Sequence, residues 1–336
     1  MKALIVAPSW IGDTVLAQPL FIRLHQYFPD LRLDALAPRW VAPVLERMPE
    51  IAEVIDSPFL HGELALGARR RLARQLASNG YQRAYVLPNS LKSALIPFFA
   101  GIAERVGFIG ERRYGLINQR HALDKTALPL MVERFAQLAE SPGASLPRPL
   151  PEPRLVATAE QRAATLRTLG LDVPGKLVVF CPGAEFGPAK RWPARHFATL
   201  AGHLAANGHT IWLLGSPNDR PVGDEIAADG QTPILNLCGK TSLAQAIDLL
   251  AAAVLVVCND SGLMHLAAAL GRPLVAIYGS SSPGFTPPLS DRAKVVRLPL
   301  ACSPCFKREC PLSHLDCLNQ LSPEQVFDAC LEQLAA

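Results

Sequence analysis

The sequence lacks the features that mark nucleic-acid-binding, membrane-spanning or secreted proteins. Only 18% of its residues are charged and the net charge is +4, which argues against a dedicated nucleic-acid-binding protein. The longest apolar stretch, near residues 93–103, is interrupted by Pro97 and Gly101 and is too short to span a bilayer. The N-terminal residues lack the apolar core and the cleavage site of a secretion signal. We therefore expect a cytoplasmic protein whose eight cysteines stay reduced.

Two ligand-binding motifs are also absent from the chain. No Asp-x-Asp triplet, a pattern that often holds a metal ion on a nucleotide diphosphate, occurs anywhere. The P-loop pattern GxxxxGK[ST] is missing as well. If no divalent ion neutralises a bound diphosphate, then Lys190, His265 and a helix dipole must do so. The sequence therefore favours a site that works without a metal.

Hydrophobic patterning is the strongest positive signal in the sequence. Short β-branched apolar runs alternate with longer helical patterns, which predicts βα units around parallel sheets. In the first half of the chain we predict strands at residues 3–7, 31–35, 54–56 and 84–87, and helices at residues 14–27, 65–78 and 90–99.

A proline-rich segment is predicted to divide the chain into two domains. Residues 141–154 contain five prolines, and such a segment is extended and poor at joining a sheet. We predict an N-terminal domain at residues 1–150 and a C-terminal domain at residues 151–336, with a final helix that could pack back on the first domain. The second series of strands is predicted at residues 176–183, 209–215, 234–239, 254–260 and 273–279.

Nearly every strand of the second series ends in Gly, Asn or Asp, at the edge where open parallel sheets bind ligands. The stretch NDSGLMH follows one of them. If Asp260 caps the next helix, the N–H groups of Ser261, Gly262 and Leu263 are free to bind an anion. His265 could donate to that anion, and Asp260 could accept from sugar hydroxyls. The alternative is an ordinary helix cap beside a surface histidine.

A second candidate ligand loop is CPGAEFGPAKRWP, residues 181–193. It is rich in glycine and proline, and it carries Gly183 and Lys190. A glycine loop with a lysine suits a diphosphate, although a solvated surface lysine is the alternative.

Long motifs in this chain resemble the ADP-heptose:lipopolysaccharide heptosyltransferases of glycosyltransferase family 9, above all those that add the second inner-core heptose. The motifs are PSWIGDTVLAQPL, YVLPNSLKSALIPFFAG, PLMVERF, CPGAEFGPAKRWP and NDSGLMHLAAALGRPLVAIYGSSSPGFTPPL, and they extend over almost all of the chain as far as about Leu289. The resemblance implies an α/β fold of GT-B type, in which two Rossmann-like, doubly wound domains face each other across a cleft.

The resemblance also implies an inverting transfer of heptose from ADP-L-glycero-β-D-manno-heptose to the first heptose of the Kdo2-lipid A inner core, with no cofactor. The acceptor would bind mainly to the N-terminal domain. Four alternatives stay open: a first-heptose enzyme, another ADP-sugar transferase of the family, a sugar-nucleotide epimerase, and a binding module without turnover. The residues that the resemblance assigns to donor binding are Lys190, Asp260, Ser261, Gly262 and His265. Gly183 of the glycine loop is a further predicted donor-binding residue.

Asp13 is the candidate catalytic base. It follows the first predicted strand through a glycine turn and opens the next helix. Inverting transfer needs a base on the acceptor hydroxyl, and the resemblance places the family's base at this residue. The alternative is that Asp13 only caps the helix.

Basic side chains are predicted to bind the anionic acceptor. At 3.6 residues per turn, Arg70, Arg71 and Arg74 share about 100° of arc, where they could contact phosphate or carboxylate groups. A solvated cationic face is the alternative, and the resemblance favours acceptor binding. Lys92 is a further candidate, and the apolar residues beside it could touch the cytoplasmic face of the inner membrane.

The stretch CSPCFKRECPLSHLDC has the spacing of a structural zinc site. Packed thiols without a metal are the alternative. Cys181, Cys238 and Cys258 end apolar strands and are predicted to be buried thiols. The zinc ligands would be Cys302, Cys305, Cys310, His314 and Cys317.

Overall fold

The computed structural model describes residues 1–59, 62–228 and 232–336. The chain forms two units, Met1–Pro153 and Arg154–Ala336. Each unit is built around one six-stranded parallel sheet. The predicted α/β fold class is therefore confirmed.

The first unit has the strand order β3-β2-β1-β4-β5-β6, the order of Rossmann folds. The order reverses between β1 and β4, and ligands of such sheets bind at this switch point. The strands are β1 Lys2–Val6, β2 Arg32–Ala37, β3 Glu53–Asp56, β4 Arg83–Val86, β5 Glu104–Phe108 and β6 Gln119–His121. The helices are α1 Ile11–Leu16, α2 Gln18–Tyr27, α3 Ala42–Leu45, α4 Leu66–Ala77, α5 Leu95–Phe99 and α6 Met131–Ala136.

The second unit repeats this order as β12-β11-β10-β7-β8-β9, with its switch point between β7 and β10. Its strands are β7 Leu177–Cys181, β8 Thr210–Leu213, β9 Ile234–Asn236, β10 Leu255–Asn259, β11 Leu274–Ile277 and β12 Ala293–Val296. Its helices are α7 Ala159–Leu169, α8 Ala194–Ala206, α9 Arg220–Ala227, α10 Leu243–Ala252, α11 Gly262–Ala269, α12 Asp316–Asn319 and α13 Pro323–Ala335.

The central strands of the second unit are buried along their whole length. β7 and β10 run side by side, and every residue of both strands is buried. Continuous apolar strands of this kind are typical of parallel sheets that are covered on both faces. The final helix, α13, packs on α8 and on β10, β11 and β12 within this unit.

Proline breaks the long helix that the sequence predicts at residues 14–27. The structure has two helices there, α1 and α2, which meet at Ala17. Pro19 lies in the first turn of α2 and has no N–H to donate, so the hydrogen bonds of α1 cannot continue through it. The predicted helix at residues 90–99 likewise begins as a 3₁₀ turn, Leu91–Ala94, before α5.

The proline-rich segment packs on the first unit as far as Pro153. The Arg148 guanidinium donates to Glu133 Oε1 at 2.7 and 2.9 Å and to the carbonyl of Ala127 at 2.9 Å. Arg23 donates to the carbonyl of Pro147 at 3.3 Å. These side-chain contacts hold the extended prolines against the unit, so this stretch is not a free tether.

Candidate active site

The second unit brings its predicted ligand-binding residues together at the switch point between β7 and β10. Lys190 Nζ donates to Asp260 Oδ2 at 2.5 Å, and the Ser281 hydroxyl donates to the same oxygen. The Asp260 side chain is 4% exposed and the Lys190 side chain 16%. The two bonds offset the cost of burying the Asp260 carboxylate, because a buried charge needs a close partner.

Asn259, the last residue of β10, holds the loop that carries Lys190. Its Oδ1 accepts from the backbone N–H of Trp192 at 3.1 Å, and its Nδ2 donates to the carbonyl of Pro182 at 2.7 Å. The Asn259 side chain is fully buried. Because one amide bonds both ends of the loop, the position of Lys190 relative to β10 is well determined.

The N-terminus of α11 differs by one residue from the prediction. The helix begins at Gly262 with Ser261 at the N-cap, and the Asp260 carboxylate is held by Lys190 and Ser281 instead of capping the helix. The first-turn N–H groups therefore belong to residues 262–264. Among the described residues, the buried Ser261 Oγ has no hydrogen-bond partner. A helix end with such groups remains suited to an anion.

His265 lies in the first turn of α11 and is 4% exposed. Burial lowers its pKa to about 4. Two neighbouring charges have smaller effects: the Asp260 carboxylate raises the pKa, and the Lys190 ammonium lowers it further. The imidazole is therefore neutral at pH 7. It can donate one N–H to a ligand but supplies no positive charge, so the prediction that it helps to neutralise a diphosphate is limited to that hydrogen bond.

The buried histidine should make the folded state less stable at mildly acidic pH. An unfolded histidine takes up a proton near pH 6.5, whereas His265 in the folded state resists protonation down to about pH 4. The unfolded state therefore gains stability as the pH falls, and the free energy of unfolding drops by about 2 kcal/mol between pH 7 and pH 5 from this group alone.

Urea unfolding of the wild type and of His265→Gln at pH 7 and pH 5 checks this expectation. The buried His121 also has a lowered pKa and contributes a loss of the same sign in both proteins. The variant should lose less stability than the wild type between the two pH values. An equal loss in both proteins would contradict the assignment to His265.

Position 183 must be glycine because the Asp219 carboxylate lies too close to leave room for a side chain. Asp219 was not predicted from the sequence as a residue of this site. A Cβ atom at Gly183 would lie 2.2 Å from Asp219 Cγ. Asp219 Oδ2 accepts from the N–H and the hydroxyl of Ser216 at 2.9 and 2.8 Å. The signal that could have revealed Asp219 is the stretch SPND after β8, which has a capping residue followed three positions later by an acid. Direct contact of Gly183 with a ligand stays a prediction.

The first unit contains a cavity of about 690 Å³ at the switch point between β1 and β4. The residues that follow both strands line it, among them Pro8 and Asn89, and so does Asp13. Asp13 lies in the first turn of α1, whose N-cap is Trp10. The candidate base therefore lies in a ligand-sized cavity and is not the N-cap residue of its helix.

Among the residues that the structure describes, three basic side chains line this cavity, and only Lys92 of them was predicted from the sequence. The predicted arginines Arg70, Arg71 and Arg74 are exposed on α4 and do not line the cavity. Their contact with an acceptor stays a prediction. The two lining arginines that the sequence analysis missed are Arg69 and Arg134.

Arg69 supports the cavity wall through the backbone. Its guanidinium donates to the carbonyls of Leu64, Glu63 and Lys92 at 2.7, 3.1 and 3.2 Å. It also lies 4.0 Å from the centroid of the Phe59 ring. Arg69 lies on the buried face of α4, whereas the arginines next to it in the sequence project from the exposed face of the same helix.

Comparisons with known proteins identify the family. A family model described as glycosyltransferase family 9 (heptosyltransferase) matches residues 69–316. The chain belongs to glycosyltransferase family 9. This glycosyltransferase is 47% identical over 337 residues to lipopolysaccharide heptosyltransferase 2 of Escherichia coli (strain K12), with 98% of this chain and 97% of that protein covered.

Two further comparisons bear on its fold and on its place in the family. The structure of ADP-heptose lps heptosyltransferase II of E. coli matches it with a TM-score of 0.90 at 44% identity, covering 100% of this chain and 99% of the other. The two Rossmann-like units are therefore those of a GT-B glycosyltransferase. Lipopolysaccharide heptosyltransferase 1 of E. coli (strain K12) is 26% identical over 89% of this chain and 94% of that protein.

The structure of this family 9 enzyme does not support the predicted zinc site. Within residues 1–59, 62–228 and 232–336, no group of three or more His, Cys, Asp or Glu side chains is arranged to hold a metal ion. All eight cysteines are free thiols. The predicted burial of Cys181, Cys238 and Cys258 is confirmed. Burial raises the pKa of Cys238 to about 12 and holds the pKa of the other two well above the ordinary value.

Proposed function

We propose that this glycosyltransferase moves heptose from ADP-heptose to the first heptose of the Kdo2-lipid A inner core, with inversion at the anomeric carbon. The observation that carries this proposal is the near full-length identity of 47% to heptosyltransferase 2, against 26% to heptosyltransferase 1. That difference favours the second-heptose reaction over the first-heptose reaction.

The second unit is proposed to bind ADP-heptose. The N–H groups at the start of α11 and the positive end of its dipole suit the diphosphate. Lys190 supplies positive charge to this site, and the neutral His265 adds one N–H donor. Asp260 holds Lys190 in place, and we propose that the same carboxylate accepts from the sugar. These groups would stabilise the charge on departing ADP, and the proposal includes no cofactor.

The proposed chemistry is a single displacement with Asp13 as the base. The acceptor hydroxyl oxygen forms a bond to the anomeric carbon of heptose on the side opposite ADP. The bond between that carbon and the phosphate oxygen breaks, and its electron pair leaves with ADP. The hydroxyl proton goes to the Asp13 carboxylate. Attack opposite the leaving group inverts the configuration.

The cavity of the first unit is proposed to hold the acceptor sugar. Lys92 and Arg134 line it and offer positive charge to the phosphates and carboxylates of an inner-core acceptor. The exposed arginines of α4 lie outside the cavity, and we propose that they contact more distant anionic groups of the lipid. Cytoplasmic localisation is part of this proposal, because the donor is a nucleotide sugar.

We also propose that the first unit contacts the membrane surface. In the part of the chain that the structure describes, no helix is both long and apolar enough to cross a bilayer. The apolar segment beside Lys92 is largely buried, since Leu95 is 7% and Ile96 1% exposed. Phe98, which is 41% exposed, and the arginines of α4 are the side chains proposed to touch the inner-membrane surface.

Acceptor choice tests the proposed function. Purified protein is incubated with ADP-heptose and with Kdo2-lipid A that carries either one heptose or none, and ADP release and product mass are measured. We expect ADP release that depends on the mono-heptosylated acceptor, with a mass gain of one heptose. Turnover of the unheptosylated acceptor would instead indicate the first-heptose reaction. Conversion of the donor without acceptor would indicate an epimerase, and binding without turnover would indicate a binding module.

A further inference from the structure

The cysteine-rich segment, defined here as residues 302–317, contacts the loop that carries Lys190. Arg308 Nε donates to the carbonyl of Phe186 at 2.6 Å. In return the carbonyl of Arg308 accepts from the N–H of Ala189 at 3.0 Å. Ala189 lies inside the 3₁₀ turn Pro188–Lys190 and immediately precedes Lys190, so one residue of the segment bonds the loop both just before this turn and within it.

A glycine in the loop makes this close approach possible. A Cβ atom at Gly187 would lie 2.5 Å from the carbonyl oxygen of Arg308. Gly187 also has a φ of +155°, which side-chain-bearing residues rarely adopt. The ring of Phe186 lies beside both cations, with Lys190 Nζ 5.0 Å and Arg308 Cζ 5.7 Å from its centroid. The backbone of the loop is therefore shaped to receive Arg308.

The same segment contacts the second loop of the site, which follows β11. The Ser303 hydroxyl donates to the carbonyl of Gly279 at 2.7 Å, and the N–H of Phe306 donates to the carbonyl of Ser280 at 2.6 Å. The next residue is Ser281, whose hydroxyl donates to Asp260. The cysteine-rich segment thus bonds the loops that carry both partners of Asp260.

We infer that Arg308 is a positioning residue for the donor site, which holds the Phe186–Lys190 loop so that the Lys190 ammonium stays at Asp260. This inference rests on the proposed function, because that function identifies the ligand as an ADP-sugar. Arg308 acts through the loop backbone. Its side chain carries no assigned role on the reacting atoms.

Calorimetric titration with ADP tests the inference in the full-length protein. We expect Arg308→Ala to weaken ADP binding about tenfold, because a hydrogen bond from a charged group to a carbonyl is lost. The KM for ADP-heptose should rise by a similar factor, while the acceptor KM at saturating donor stays within about twofold. Arg308→Lys should remain weak, because an ammonium cannot reproduce the Nε geometry. Lys307→Ala is the matched control and should bind ADP as the wild type does.

The outcomes separate this inference from the proposed function. If the wild type fails to bind ADP, the proposed function fails and the inference fails with it. If the wild type binds and Arg308→Ala binds within twofold of it, only the inference is overturned. It is also overturned if Lys307→Ala weakens binding equally, or if the acceptor KM of Arg308→Ala rises as much as the donor KM.

Discussion

Asp13→Ala and Asp13→Asn are each expected to lower kcat by about a hundredfold to ten-thousandfold, the range over which a positioned general base contributes. The acceptor hydroxyl must lose its proton as it attacks, and Asp13 is the proposed carboxylate in the cavity of the first unit. Both variants should retain ADP affinity, because the proposed donor-binding residues lie in the second unit. The measurement is the rate of ADP release at saturating donor and acceptor.

Asp30→Asn provides the control for a general effect of removing an acid from the first unit. Asp30 is exposed in the turn between α2 and β2 and does not line the cavity. Its kcat should match that of the wild type. An Asp13→Asn enzyme that keeps more than a tenth of the wild-type kcat would contradict the assignment of the base.

Lys190→Ala is expected to affect both donor binding and stability. The KM for ADP-heptose should rise about a hundredfold, because the site loses the cation that is proposed to face the diphosphate. The free energy of unfolding should fall by about 3 kcal/mol, because the variant leaves the Asp260 carboxylate buried without its ammonium partner. Steady-state kinetics and urea unfolding measure the two effects separately.

A double variant separates binding from stability. Lys190→Met combined with Asp260→Asn removes both charges, so no unpaired carboxylate remains, and most of the lost stability should return. Donor binding should stay weak because the cation is still absent. Recovery of the donor KM together with stability would show that Lys190 acts only through the fold, and it would contradict a role in binding the diphosphate.

The parts of the fold that the sequence predicted are those with a strong local pattern. β7 and β10 are continuous apolar runs, and their buried positions follow from composition alone. The missed strands lack such a run. β5, with the sequence ERVGF, includes Arg105, whose guanidinium bonds neighbouring backbone carbonyls, and β6 consists of the polar residues QRH.

The sequence predicted several residues of the candidate site, but it did not predict the contacts between them. Lys190 and Asp260 were both named, whereas their ion pair joins positions 70 residues apart and depends on the strand order. The NDSGLMH stretch and the resemblance both pointed to His265, but only the structure shows the burial that keeps its imidazole neutral. Arg69 was passed over in favour of its exposed neighbours, because a run of arginines does not indicate which one faces the interior.

The support that Arg308 provides to the Lys190 loop also lay outside what the sequence could indicate. The zinc-like spacing drew attention to the cysteines of that segment. The bonds to Phe186 and Ala189 come from Arg308, which lies between two of these cysteines in the sequence. These bonds form only when residues more than a hundred positions apart in the chain meet. A glycine at position 187 is consistent with this contact but has many other uses in loops.

We propose that the second unit binds the donor and that the first unit removes the proton. Calorimetric titration of ADP into the wild type, Asp13→Asn and Lys190→Ala tests it most directly. We expect Asp13→Asn to bind ADP within about twofold of the wild type, whereas Lys190→Ala should bind more than about tenfold more weakly. Loss of ADP binding in Asp13→Asn, or wild-type affinity in Lys190→Ala, would contradict that division.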